Sequence, residues 1–173
     1  MGSLSPVRVP GLAAAFGLLA GAVLTVPAAA QNFGRIGGVA VDARPLQAYA
    51  RGPQTEALRA DLTEALRRSF SDRIVRGGPT LVVRVSGLSL TPYAGGEGFG
   101  RGGSLGGGGA TDYLDGEALL VGRGGEILAR HPQLSALPAS SGGAWYDPAS
   151  ERRRVAALAE HYAQWLRRRL PAQ

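Results

Sequence analysis

The 173-residue chain contains no cysteine, and all 19 of its basic side chains are arginine, so lysine is absent as well. The first absence excludes disulfides, thiol nucleophiles, CxxC redox pairs and cysteine-ligated zinc. The second excludes a Schiff-base amine and the lysine of a phosphate-binding loop. In an oxidising compartment such a domain must hold together without covalent staples. What the chain has in excess is glycine, 27 residues, much of it in one stretch.

The N-terminus opens with a single arginine, Arg8, followed by an apolar run from Gly11 to Val26 and by Ala28-Ala29-Ala30 just before Gln31. Small residues behind an apolar run are what a signal peptidase requires, so residues 1–30 read as a cleaved secretory signal peptide and the destination as the periplasm or the exterior. The alternative is an uncleaved anchor in the inner membrane, because about 16 apolar residues with their flanks nearly span a bilayer. Lipidation at an N-terminal cysteine is excluded, and Pro6 breaks the myristoylation pattern. Losing Arg8 lowers the net charge from +6 to about +5. Residues 31–173 then form a single α/β domain with a modest core.

Periodicity sets out its elements. Ile36, Val39, Val41 and Ala43 alternate loosely as a first strand that ends at Pro45. In PQTEALRADLTEALRRSF, Leu58, Leu62, Ala65, Leu66 and Ser69 recur at helical spacing, with Glu64, Arg67 and Arg68 opposite and Pro53 suited to the first turn. Leu81, Val83 and Val85 share one face of a second strand, and Gly87 allows a bulge before Leu88 and Leu90. Leu114, Ala118 and Leu120 alternate with Asp115, Glu117 and Leu119 in a third. Gly122-Arg123-Gly124-Gly125 suits a hairpin turn, and Glu126 to Arg130 returns as a fourth strand that Pro132 and Pro138 break off. The last helix is signalled by Asp147 as N-cap, Pro148 in the first turn, and a stripe of Val155, Leu158, Ala159, Tyr162, Trp165, Leu166 and Leu170. The order β-α-β-(Gly loop)-β-β-α predicts an α+β fold, a two-layer α/β sandwich with both helices on one face of a small sheet. The other sheet face, and an edge strand, are then left for a partner.

The glycine-rich segment from Thr91 to Asp112 reads as a long flexible connection, and it holds two familiar patterns. Gly98-Phe99-Gly100-Arg101-Gly102-Gly103 fits the dinucleotide fingerprint, yet more glycine follows where a helix N-terminus should receive the pyrophosphate. Gly102-Gly103-Ser104-Leu105-Gly106 fits the nucleophile elbow, and Asp147 and His161 follow in hydrolase order, but no helix pattern begins after Ser104. Asp112, Asp115 and Glu117 form the other candidate group, for acid/base or metal chemistry, against the simpler reading of a solvated strand face. His161 reads as a helix-flank residue, with metal ligation the less favoured role.

Three Arg-Gly-Gly triplets, at Arg76, Arg101 and Arg123, are scattered, which with export argues against nucleic acid. The clusters Arg152 to Arg154 and Arg167 to Arg169 belong on the exposed side of the last helix, placed to meet anionic lipid, lipopolysaccharide or an acidic partner. Trp145 and Tyr146 precede that helix, either folded back on its first turns or presented as an aromatic contact. The candidate partner-binding residues are therefore Trp145, Tyr146, Arg153, Arg167 and Arg168.

A leader of this kind followed by a TEALRADLTEALRRSF-type helix, a GPTLVVRV-type strand, a DGEALLVGRGGEIL-type hairpin and a terminal AEHYAQWLRRRL helix resembles, in layout, small bacterial envelope modules. These include the lipopolysaccharide-assembly lipoprotein LptE, TolB N-terminal-like domains and small periplasmic lipoproteins. The resemblance implies a non-catalytic accessory or binding role in the cell envelope, without cofactor or metal, with an envelope protein or an anionic surface component as partner. Two alternatives stand beside it: a small hydrolase built on Ser104 or the Asp112, Asp115 and Glu117 group, and an anionic-lipid or lipopolysaccharide binder using the last helix's arginines.

Overall fold

The computed structural model describes residues 33–47, 52–92, 110–144 and 146–170. Strand β1 (Gly38–Asp42) leads into a short helix α1 (Arg44–Gln47) and a long one, α2 (Pro53–Ser69), before β2 (Thr80–Ser89). Strands β3 (Thr111–Val121) and β4 (Ile127–Pro138) and helix α3 (Ser150–Arg169) complete the order. The sheet runs β1-β2-β3-β4, with β1 parallel to β2 and the remaining pairs antiparallel. Helices α2 and α3 pack on one face and on each other, which is the expected two-layer α/β sandwich.

The core lies between these layers. Leu58, Leu62 and Leu66 of α2, Leu158, Tyr162 and Leu166 of α3, and Leu81, Val83, Val85 and Leu114 of the sheet are all fully buried. Each side chain of this size contributes about 1.5–3 kcal/mol on burial. Phe33, Ile36 and Phe70 close one end. Polar pairs fringe the α2–α3 seam in register: Gln54 with Glu151, Asp61 with Arg152, Arg68 with Glu160, and Asp72 with Arg167. Residue numbers rise together along both helices, so the helices run parallel. Exposed pairs of this kind are worth about 0–1 kcal/mol each, so they tune alignment while the apolar seam supplies the stability.

Three local expectations are corrected. Strand β4 continues through Pro132 to Pro138 instead of ending at Arg130. This is possible because β4 is an edge strand, where proline's missing N–H removes no ladder bond from β3. The chain after Asp42 does not simply break at Pro45; it turns into α1, with Asp42 accepting from the backbone and side chain of Arg44. Helix α3 begins at Ser150, two residues after Pro148, and Asp147 accepts instead from the Ala149 N–H in the turn before it. The bulge in β2 between Val85 and Gly87, and the positive φ of Gly125 in the β3–β4 hairpin, are as expected.

The middle of strand β4 carries its side chains inside out. Its helix-facing positions between Ala129 and Leu137, which packs on the core, are His131, Gln133 and Ser135, and the last two are buried. Its outward positions include Leu134, 60% exposed, with Pro132 and Ala136. A polar interior edge is tolerated because Gln133 Nε2 donates to the Tyr162 carbonyl at 2.9 Å.

Tyr162 is fully buried, yet its hydroxyl has no hydrogen-bond partner among the described residues. It fits because Gly116 lies beneath it: a Cβ there would stand 3.1 Å from the Tyr162 hydroxyl and 2.8 Å from the Arg84 carbonyl. Tyr162→Phe therefore removes an unsatisfied polar atom without a cavity and should leave stability unchanged or raise it by up to about 1 kcal/mol. Gly116→Ala should cost about 1–3 kcal/mol by overpacking. Denaturant melts of both variants check this, and a strongly destabilised Tyr162→Phe would show that the hydroxyl is bonded.

Candidate functional site

The acidic trio is divided by the sheet. Asp112 lies on the helix-facing side, 1% exposed, and its carboxylate takes a two-pronged ion pair from Arg154 of α3, itself 4% exposed. Asp115 and Glu117 point to the opposite side, where Ser86 donates to Asp115 at 2.7 Å and Arg130 pairs with Glu117 at 3.3 Å. The described residues contain no group of three histidine or acidic side chains able to hold a metal. Ser104 lies outside the described residues. The carboxylates with a resolved shift, Asp42, Asp147 and Glu160, are all pushed down, chiefly by hydrogen bonds from Arg44, Arg153 and Gln164 respectively. A carboxyl held ionised in this way accepts hydrogen bonds and is unsuited to general acid work at neutral pH.

Arg154 also donates to the Thr91 carbonyl at 2.7 Å, while Asp112 accepts from the Thr91 N–H at 2.9 Å. Thr91 Oγ1 reaches the Thr111 carbonyl. The two ends of the glycine-rich segment are thus fastened together and to α3. A cleft of about 390 Å³ opens beside this clamp, lined by Thr91, Pro92, Asp147, Ser150 and Arg154 among others. Its charged floor is already neutralised by Asp112, so the clamp serves architecture. Arg154 was expected on the exposed side of the helix; it is buried because Asp112 compensates its charge there.

The remaining arginines sort sharply. Arg152 pairs with Asp61, Arg153 with Asp147, and Arg167 with Asp72 while also lying over the Phe70 ring. Arg168 and Arg169 have no ion pair among the described residues. Instead their guanidinium carbons lie 4.8 and 5.1 Å from the centroid of Trp165, which is 36% exposed. His161 also stacks with the indole, 6.3 Å away with ring planes 13° apart. Of the three arginines singled out from the sequence, only Arg168 therefore stands unneutralised. Arg169 and Trp165 escaped because both fit the bland readings of helix capping charge and core stripe. Tyr146 is 75% exposed, which contradicts its folding back as a staple; Trp145 lies outside the described residues.

The sheet face opposite α2 and α3 is the second surface of interest. Across it run Asp42, Arg84 and Glu117 in register, flanked by Arg130, with Asp42 and Arg84 3.4 Å apart. Beside this charged row lie exposed Tyr113 and Leu134, and Leu128, 54% exposed, precedes them on β4. Leu119 is buried on this side while standing apart from the main core.

Asp42 is held at a pKa of about 2, against an ordinary 3.8, first by the Arg44 hydrogen bond and then by its backbone and Arg84 contacts, against the opposing effect of burial. A folded pKa below the unfolded one means stability that is complete above about pH 4 and is lost as pH falls toward 2. Asp42→Asn should lose stability at pH 7 and show a shallower fall in melting temperature between pH 4 and 2. Parallel acid profiles for wild type and variant would contradict that role. Comparison with known proteins returns no family model, no curated protein and no solved structure similar to this chain.

Proposed function

We propose that the protein is an exported, non-catalytic accessory protein of the bacterial cell envelope that works by binding another envelope component. The observation that carries this reading is the inversion of β4, which turns Leu134 outward on the sheet face opposite α2 and α3 beside Tyr113 and keeps Gln133 and Ser135 inside. Exposed apolar groups clustered on one face and rimmed by charge are what a contact surface needs. Scattered exposed leucines would carry no such meaning.

Two further features support it. The leader-like N-terminus supports export, and the burial of Asp112 in its ion pair with Arg154 leaves Asp115 and Glu117 without the third member of the acidic group. Pro132 in the edge strand interrupts any continuous added strand, so the face of β3 and β4 is a better contact than the edge.

Expression of the full chain in a bacterial envelope should yield a mature protein beginning at Gln31. A photo-crosslinking residue at position 134 should give a discrete adduct that the same residue at position 64, on the outer side of α2, does not. Retention of residues 1–30 would refute cleavage, and identical, diffuse labelling from both positions would refute a specific contact face.

A further inference from the structure

The end of α3 carries a feature that the sheet-face reading does not use. Six arginines lie on this helix; Arg152, Arg153, Arg154 and Arg167 are each neutralised by an aspartate, and Arg168 and Arg169 have no ion pair among the described residues. Both unneutralised guanidinium groups gather on one indole, Trp165, with His161 stacked against it one helical turn earlier. On β4, His131 is a helix-facing position two residues from Gln133, which donates to the carbonyl of Tyr162, one turn before Trp165. The Nδ1 of His161 is buried without a hydrogen-bond partner among the described residues.

We infer that Trp165, Arg168, Arg169, His161 and His131 form a binding site for the phosphate group of an anionic lipid headgroup or of a free phosphate. The chemistry matches in three respects. Two guanidinium forks present several N–H donors to the non-bridging oxygens of one phosphate, a pairing for which arginine is especially suited. The half-exposed indole offers an apolar body beside a polar rim, which suits the boundary between headgroup and acyl chain. Among the described residues no carboxylate pairs with Arg168 or Arg169, whose nearest ring partner is Trp165.

One effect opposes binding. The last turn of a helix carries partial negative charge, which disfavours an anion by less than about tenfold at an exposed site. Each charge-assisted bond from an arginine to phosphate offsets this by about tenfold or more, and two arginines are present, so attraction wins.

The chain has two histidines, so their ring-proton NMR signals report the site directly. The mature protein is titrated with inorganic phosphate, with phosphatidylcholine vesicles and with vesicles containing phosphatidylglycerol. Phosphatidylglycerol vesicles should bind, less tightly as salt rises, and should raise the pKa of both histidines. The double variant Arg168→Gln/Arg169→Gln, checked for an unchanged circular dichroism spectrum, should bind at least about tenfold more weakly. A rise in both histidine pKa values with millimolar inorganic phosphate alone also upholds the site and identifies free phosphate as its source. Histidine signals that move with neither probe, equal binding to phosphatidylcholine, or full binding by the double variant would overturn the proposal. Leu134→Asp separates the two surfaces: it should abolish crosslinking through the sheet face and leave vesicle binding intact, so either reading can fail alone.

Discussion

The ion pair between Arg154 and Asp112 is the constraint on which the arrangement turns. It joins α3 to β3 in the interior, and through Thr91 it fastens the strand ends on either side of the glycine-rich segment. A buried pair of this kind adds little net stability over well-packed apolar residues, but removing one member leaves an uncompensated charge at a cost of about 3–5 kcal/mol. Its effect is therefore one of placement. With Arg154 seated on Asp112, the helix lies where Leu158, Tyr162 and Leu166 meet the sheet, and neither long helix covers the other sheet face.

That face and the end of α3 are where the molecule departs from the rule that apolar groups go in and polar groups out. Strand β4 places Gln133 and Ser135 inside and Leu134 outside. Helix α3 neutralises its arginines one by one until the last turn, where two are left on a half-exposed tryptophan. Consistency elsewhere makes these two departures informative, since local rules are most often broken where a surface has work to perform. Both sit on margins of the same small domain, one apolar and one cationic.

Much of the fold was legible in the sequence, and the reasons are local. Leu58, Leu62, Ala65 and Leu66 announce α2 by spacing alone, and Leu81, Val83 and Val85 announce β2. The misreadings are tertiary. Pro132 looks like a strand terminator until β4 is known to be an edge, and Arg154 looks solvent-facing until Asp112 is found beneath it. The sites were less legible still. Arg153, Arg167 and Arg168 are alike by type and all fall opposite the apolar stripe of α3, and only the location of Asp147 and Asp72 shows that the first two are already engaged. Trp165 falls within the apolar stripe by count, but the helix rotates it to the margin.

A double-mutant cycle on Asp112→Ala and Arg154→Ala tests the placement of α3 most directly. Each single variant should lose about 3–5 kcal/mol in denaturant melts, and the double variant little more than either, giving a coupling energy of about 3 kcal/mol. Losses that simply add would show that the two side chains do not act as a buried pair, and with them would fall the account of why one sheet face is structural and the other carries neither long helix.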